Sequence, residues 1–214
     1  MLNTSLYMMF LVTSFFAVAT PGPGVLMSLT GVIRYGFKTG FWTILGVASG
    51  TVVMAIISST GLGIVIATSP DLYSLIKTLG ACYMGYLGIR LYRAKPFSFQ
   101  LANKEKSQPM SLAQKGFLWV QGVMLQMTNP MLIMFFISLF PQFIDAELPF
   151  LPQMIALSLT HFTLVTLVHC GYGLIATSFR GLLNSDTTAR WVNRVSGTFF
   201  LALAVKVFWD MFLG

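Results

Sequence analysis

The chain has 214 residues, of which 56% are hydrophobic and only 9% are charged, and its net charge at pH 7 is +7. Soluble domains carry about a quarter charged residues, so this chain has too few charges to cover a water-facing surface of its own. The composition excludes an ordinary soluble globular protein and predicts an all-α integral membrane protein. We expect no cofactor and no metal site. The positions of the cations argue against nucleic acid as a partner and leave membrane lipid as the surroundings.

Six apolar runs, taken in chain order, predict six transmembrane helices. Four runs are long enough to cross a bilayer, which takes roughly 20 apolar residues. Two shorter runs are flanked by cations, whose aliphatic stems let the charged ends reach the interface. The long runs cover 1–33, 39–70, 116–144 and 148–179, and the short runs cover 78–89 and 195–205. The order is long, long, short, and then long, long, short again.

This order predicts an internal repeat. Thr20-Pro21 interrupts the first run, and Thr128-Asn129-Pro130 interrupts the fourth at a matching depth. Each half holds three spans, an odd number, so the second half should enter the membrane inverted. The predicted organisation is a first three-helix repeat over 1–93, a cytoplasmic connector over 94–112 and a second three-helix repeat over 113–214.

The cations gather on one predicted side of the membrane. Eleven of the 13 Lys and Arg residues lie there, which leaves Lys77 and Lys206 on the other side together with Asp71, Asp145 and Asp210. The positive-inside rule then predicts that both termini lie outside the cytoplasm. We expect a multi-pass protein of a bacterial inner membrane.

The first run contains Pro21-Gly22-Pro23-Gly24, an unfavourable sequence for a helix. Proline removes a backbone donor and frees a carbonyl one turn earlier. In hydrocarbon such groups are costly unless protein, water or a ligand meets them. The N-terminus of a half-helix also presents free N–H groups and a positive dipole to an anionic group of a substrate. Two breaks in register therefore favour a substrate site over proline kinks that only shape the bundle.

The predicted substrate site combines both breaks with their polar neighbours. Glycine leaves the backbone bare enough for a small ligand to approach, and an asparagine amide can both donate and accept hydrogen bonds. The candidate residues are Thr20, Pro21, Gly22, Pro23, Gly24, Gln126, Thr128, Asn129 and Pro130.

Two histidines are the candidates for proton coupling. No Asp or Glu lies inside a predicted span, so His161 and His169 of the fifth run are the ionisable groups with suitable titration. On a helix they project about 80° apart and do not form a tight metal pair. Hydrogen bonding between helices is the alternative role. The motif Gly46-x-x-x-Gly50 predicts close packing of helices rather than contact with substrate.

Four segments resemble the LysE/RhtB family of amino-acid exporters: TPGPG at 20–24, GFKTGFWTILGVASG at 36–50, LGACYMGYLGIRLYR at 79–93 and TNPMLIMFFISLFPQFI at 128–144. The resemblance covers essentially the whole chain in order. It implies a secondary transporter that exports an amino acid or a close derivative from the cytoplasm by proton antiport. A homodimer is a candidate assembly.

The chain departs from many family members at three positions. Gly24 stands where many have asparagine, Met131 where many have lysine, and Thr51 where many have an acid. These changes remove charge and polarity from the predicted site. The predicted substrate is therefore a small neutral amino acid or analogue rather than a dibasic one.

The alternative function is a membrane thiol/disulfide electron carrier that uses Cys82 and Cys170. Neither cysteine lies in a C-x-x-C motif or beside a cation that would lower its pKa. They fall in the third and fifth runs, which the repeat does not relate. An intramembrane enzyme would need a nucleophile with a base, or a metal cluster, and neither is evident. We therefore expect the protein not to be an enzyme.

Overall fold

The computed structural model describes residues 2–94, 110–178 and 186–212, and every regular element within these ranges is helical. Most of the predicted connector, 94–112, lies outside the described residues. The elements are α1 (Thr4–Ala19), α2 (Pro23–Tyr35), α3 (Phe37–Thr68), α4 (Pro70–Tyr92), α5 (Leu112–Met127), α6 (Pro130–Ser138), a 3₁₀ helix (Phe140–Phe143), α7 (Phe150–Ser178) and α8 (Asp186–Phe212).

Among the described residues, three helices are long and apolar enough to cross a membrane: α3, α7 and α8. Two bent pairs raise the number to five if each pair is one span. The axes of α1 and α2 differ by 58°, and those of α5 and the segment 131–143 differ by 59°. Helix α4 has 23 residues, but it carries Asp71, Lys77 and Arg90 and is not among the five. The structure thus supports three to five spans, compared with the six predicted.

Helices α4 and α8 extend well beyond the short apolar runs at 78–89 and 195–205. The start of α4 is fixed by local chemistry, because Ser69 Oγ accepts the Leu72 N–H at 3.3 Å and a proline occupies the first helical turn. These starting signals are independent of hydropathy. Apolar run length therefore underestimates both helices.

The first break separates α1 from α2. The N–H and Oγ1 of Thr20 both donate to the Phe16 carbonyl, at 3.1 and 2.7 Å, and so close the end of α1. The Ala19 carbonyl, which has no intrahelical donor, accepts the Tyr172 hydroxyl of α7 at 2.6 Å. Pro23 begins α2, where a missing N–H costs nothing. The Ala19 carbonyl, which Pro23 cannot satisfy, is thus met by protein.

The second break separates α5 from α6. The Thr128 N–H donates to the Met124 carbonyl at 3.2 Å, and the Asn129 N–H donates to the Gln126 carbonyl at 3.2 Å. Pro130 then begins α6. Both predicted proline motifs therefore interrupt helices, and the following helix starts at a proline in each case.

Glycines bring α3 and α5 into backbone contact. A Cβ at Gly46 would overlap the Trp119 carbonyl oxygen, and a Cβ at Gly50 would lie 2.7 Å from Gln126 Cβ. Because neither approach leaves room for a side chain, the Gly46-x-x-x-Gly50 motif is confirmed as a packing motif. This contact fixes the end of α5 against the middle of α3.

A second glycine contact joins α4 to α8. A Cβ at Gly88 would lie 2.8 Å from the Gly197 carbonyl oxygen, and one at Gly197 would lie 2.7 Å from the Gly88 carbonyl oxygen. The contact is reciprocal, so the two backbones cross where each has no side chain. Helices α4 and α8 form a closely packed pair.

Polar contacts join the start of α1 to the loop before α7. Asn3 Nδ2 donates to Asp145 Oδ2 at 2.9 Å, and the Glu147 N–H donates to Asp145 Oδ1 at 3.0 Å. These two hydrogen bonds lower the pKa of the Asp145 carboxyl below its usual value. The Gln153 side chain exchanges two further bonds of 2.9 Å with the Asp145 backbone.

A buried aromatic cluster lies between this polar end and the two breaks. Phe10 packs edge to face against Phe140 and Phe143, with ring centroids 5.3 and 5.4 Å apart. Phe136 and Phe140 are also fully buried, with centroids 4.8 Å apart. The cluster fills the space between α1, α6 and the 3₁₀ helix on this side of the breaks.

Candidate substrate-binding site

The two breaks lie against each other in the centre of the molecule. A Cβ at Gly22 would lie 3.8 Å from Met131 Sδ, which is ordinary van der Waals contact. A Cβ at Gly24 would lie 3.3 Å from Gln126 Nε2. Residues more than 100 positions apart in the chain thus meet at the prolines, as the repeat predicts.

A cavity of about 70 Å³ lies at this meeting point. One buried water needs roughly 10–15 Å³ on this measure, so the cavity has room for several waters or for a small ligand. Eight predicted residues line it: Thr20, Gly22, Pro23, Gly24, Gln126, Asn129, His161 and His169.

Three predicted residues are placed differently. Pro21 lies in the break but does not line the cavity. Thr128 is exposed, and its hydroxyl donates to the Met124 and Leu125 carbonyls of its own helix. The side chain of Pro130 lies outside the described part of the structure, although its backbone starts α6.

The N-terminus of α2 is uncapped at the cavity. Gly22 supplies no side-chain hydrogen bond there, and Pro23 has no N–H. The N–H groups of Gly24 and Val25 belong to the first turn and so have no intrahelical acceptor. Both residues are buried and line the cavity. These N–H groups and the helix dipole make the cavity favourable for an anion.

The N-terminus of α6, by contrast, is capped by its own side chain. Asn129 Oδ1 accepts the Met131 N–H at 3.1 Å. Since a backbone N–H can only donate, the amide oxygen of Asn129 must face it. The two breaks therefore differ in chemistry, and the open helix end belongs to α2.

This cap determines which atom Gln126 presents to the cavity. With its oxygen on Met131, Asn129 turns its NH₂ toward Gln126, and Nδ2 lies 2.9 Å from Gln126 Oε1. Gln126 must accept this bond through its oxygen. Its Nε2 makes no hydrogen bond to any described residue and lies beside Gly24, at the open end of α2. A carboxylate placed there would meet the N–H groups of α2 and this amide donor together.

The two histidines are divided between the halves of the broken helix. His161 Nδ1 lies 3.3 Å from Ser14 Oγ of α1, and His169 Nδ1 lies 2.9 Å from Ser28 Oγ of α2. His161 also stacks on Phe135, with ring centroids 4.9 Å apart. The predicted role in interhelical hydrogen bonding is confirmed. The same residues are the titratable side chains among the described residues of the cavity wall.

Sequence reasoning missed several contributors to this site. Ser14 and Ser28 hold the histidines, and Tyr172 satisfies a freed carbonyl. Leu87 and Phe135 supply apolar wall. Hydroxyl side chains inside apolar runs were the available signal for the first three, but their partners lie about 140 to 150 positions away. The apolar wall residues carry no signal, because the runs consist of such residues throughout.

The two cysteines lie apart from the cavity lining. Cys82 is exposed on α4 and Cys170 is partly buried on α7, and both are free thiols. The electron-carrier alternative would need these two thiols to meet. Because neither thiol lines the central cavity, the cavity takes no part in thiol chemistry.

A bundle of apolar helices with two broken helices meeting at a central cavity defines the class as a membrane translocator. The model of the LysE type translocator family matches residues 15–210, which include both breaks and every predicted site residue. The chain belongs to this family, as its motifs suggest.

The chain is similar over nearly its full length to several family members. It is 28% identical over 201 residues to an uncharacterized membrane protein of Vibrio cholerae serotype O1, covering 94% of this chain and 95% of that one. It is 26% identical over 203 residues to proteins named leucine efflux protein from Salmonella choleraesuis and Salmonella typhimurium, covering 94% of this chain and 93% of theirs. No solved structure shows a significant match.

Proposed function

We propose that the protein is a secondary transporter that exports a small neutral amino acid, of the aliphatic kind, from the cytoplasm. The observation that carries the proposal is the open end of α2 at the cavity. There the N–H groups of Gly24 and Val25 have no intrahelical acceptor, and the Nε2 of Gln126 makes no hydrogen bond to a described residue. These donors suit an α-carboxylate.

The rest of the cavity wall supports a neutral, apolar side chain. Leu87, Leu132, Phe135 and Val165 line it from three different helices. No acidic side chain lines it among the described residues, so a cationic substrate side chain would lack a counter-ion. Relatives named leucine efflux protein are consistent with an aliphatic substrate.

The mechanism we propose is alternating access by two inverted repeats of three spans each, with α4 and α8 as the third span of each half. In this correspondence α1–α2 of the first repeat matches α5–α6 of the second, and α3 matches α7. The contact of α3 with α5 then corresponds to that of α7 with α1. In the same way, the contact of α2 with α7 corresponds to that of α6 with α3. The nearly equal bends of 58° and 59° also support the repeat. In this mechanism the two halves rock around the central cavity.

The proposed orientation follows the cations. Arg34, Lys38, Arg90 and Arg194 belong to the cation-rich side, which we assign to the cytoplasm of a bacterial inner membrane. The Asp145 loop and both termini then lie outside. With this orientation the aromatic cluster around Phe10 closes the outer side of the cavity.

Proton antiport through the histidines completes the proposal. His161 lies on the outer side of the break through Ser14, and His169 lies on the inner side through Ser28. Imidazole titrates in the range that a proton-driven exporter needs. Each histidine gains or loses a proton as its half of the cavity opens to water.

The test uses inverted membrane vesicles that contain the full-length protein, with an imposed pH gradient, acid inside. Labelled leucine, alanine and lysine are offered on the outside, which is the cytoplasmic face. We expect leucine to accumulate, lysine not to, and accumulation to collapse when the gradient is dissipated. A Cys82→Ser/Cys170→Ser double variant should accumulate leucine normally. Loss of accumulation in this variant, or its absence for every neutral amino acid, would contradict the proposal.

A further inference from the structure

A second hollow follows α2 along its length, between α2, α3 and α5. Its volume is about 490 Å³, several times that of the central cavity on the same measure. Pro23 lines both hollows, so they adjoin at the open end of α2. The hollow reaches Arg34 and Tyr35, about 16 Å further along α2 at ~1.5 Å per residue. It therefore extends from beside the central cavity to the cation-rich end of the molecule.

The lining of this hollow is polar compared with the other surface grooves. Thr30 and Gln121 line it and are exposed. Two other grooves, one beside Val12 and Phe199 and one beside Ile57, are lined almost wholly by apolar side chains. A primary amide and a hydroxyl facing acyl chains would be unsatisfied at a cost of several kcal/mol. This contrast favours water over lipid in the hollow.

We propose that this hollow is the water-filled cytoplasmic vestibule through which a zwitterionic amino acid reaches the central cavity. The inference rests on the proposed export function and adds the route and its residues. Arg34 at the mouth attracts the carboxylate, Gln121 and Thr30 offer hydrogen bonds along the wall, and Pro23 marks the entrance to the central cavity. The polar lining replaces part of the hydration that the zwitterion loses on entry.

The first test measures access of water to the hollow. In the Cys82→Ser/Cys170→Ser background, Thr30→Cys and Gln121→Cys are labelled with a charged, membrane-impermeant maleimide applied to inverted vesicles. The matched control is Val120→Cys, because Val120 neighbours Gln121 on α5, is 41% exposed and does not line the hollow. Thr30→Cys and Gln121→Cys should label at least about tenfold faster, since hydrocarbon excludes a charged reagent. Equal rates at all three positions, or labelling only from the opposite side, would overturn the vestibule.

The second test asks whether substrate uses this route. Labelled leucine at concentrations that saturate transport should slow labelling of Gln121→Cys severalfold. Gln121→Leu and Thr30→Val should raise the apparent KM for leucine on the cytoplasmic face and leave the maximal rate within about twofold. Labelling that leucine does not affect, together with unchanged KM values, would show a water-filled hollow that substrate does not use.

The parent Cys-free protein is assayed for leucine transport in parallel. Rapid labelling without any amino-acid transport would refute the proposed function, whereas transport without labelling would refute the vestibule alone. The two failures are thus distinguishable.

Discussion

Gln126 Nε2 lies 3.3 Å from the position that a Cβ would take on Gly24, so the last turn of α5 and the first turn of α2 touch across the two breaks. Val47 Cγ1 lies 3.2 Å from the same position. The open helix end is therefore held between an amide and an aliphatic side chain. The geometry of this helix end therefore requires that residue 24 carries no side chain.

Replacing Gly24 should impair transport. In Gly24→Ala the methyl group displaces Gln126 Nε2 from the helix end, and a lost hydrogen bond to a charged group is worth about 1.5–3 kcal/mol. Leucine uptake into inverted vesicles at subsaturating concentration should fall about tenfold or more. Gly22→Ala is the matched control, because its Cβ would only reach van der Waals distance and its φ of −147° suits any residue. Equal activity of the two variants would contradict the assigned role of Gly24.

Substituting Asn129 separates its capping role from its effect on Gln126. Asn129→Asp keeps an oxygen for the Met131 N–H but cannot donate, so Gln126 must rotate and present its oxygen to the cavity. Export should be lost while thermal stability in detergent is kept. Asn129→Ala should lose export and also about 1 kcal/mol of stability, since the cap disappears. Normal export by Asn129→Asp would show that the orientation of Gln126 is unimportant.

The histidines can be tested by separating coupling from transport. Glutamine retains a hydrogen-bonding group for Ser14 or Ser28 but does not titrate. His161→Gln and His169→Gln should therefore still exchange leucine across the membrane. They should fail to accumulate leucine when a pH gradient is imposed. Ser14→Ala and Ser28→Ala serve as controls, because they remove the same hydrogen bonds and leave the titratable ring. These two should still accumulate leucine. Accumulation by both glutamine variants would assign the histidines to structure alone.

The crossing of α3 and α5 predicts a large difference between two glycine substitutions. Gly46→Ala forces a methyl group into the Trp119 carbonyl, and overpacking of this kind costs roughly 1–3 kcal/mol. Gly116→Ala on α5 meets nothing within 4 Å and should be neutral or stabilising by up to about 1 kcal/mol through helix propensity. Melting temperatures of the purified variants in detergent measure both. A Gly46→Ala protein as stable as Gly116→Ala would mean that the two helices separate easily.

The loop around Asp145 predicts a dependence of stability on pH. The lowered pKa of Asp145 means that its hydrogen bonds with Asn3 and the Glu147 N–H stabilise the fold above the unfolded pKa of an aspartate, and that this contribution is lost as pH falls through the lower folded value. Melting temperatures between pH 6 and pH 3 should decline less in Asp145→Asn than in the parent. Parallel curves for the two proteins would remove Asp145 from the acid response.

The helices and both breaks could be predicted from sequence because their causes are local. A long uncharged run must be helical in lipid, and a proline lacks its N–H wherever it stands. The lengths of α4 and α8 were underestimated, since caps such as Ser69 set helix ends and hydropathy does not detect them. The charged residues of α4 exclude it from the helices that are apolar enough to count as spans, so apolarity alone gives three to five crossings.

The site could be predicted as a region but not as a set of contacts. Nearly every side chain in the runs is apolar, so the rotation of each helix about its axis cannot be read from periodicity. Thr128 consequently turned out to be exposed, and the partners of His161 and His169 could not be named. Asn129 lines the cavity as expected, but its hydrogen bonds with Met131 and Gln126, which set the orientation of the Gln126 amide, could not be read from the sequence.

The N-terminus of α2 is open and that of α6 is capped, and this difference has a consequence for substrate selection. The carboxyl head of a zwitterion finds a ready partner at α2, whereas its ammonium head finds no anion among the described residues around the chamber. Recognition then depends on the carboxylate of the substrate, because its ammonium group loses hydration without gaining a counter-ion. If the proposed function holds, we therefore expect the protein to reject decarboxylated amines and to accept 2-hydroxy or 2-keto acids in place of the parent amino acid.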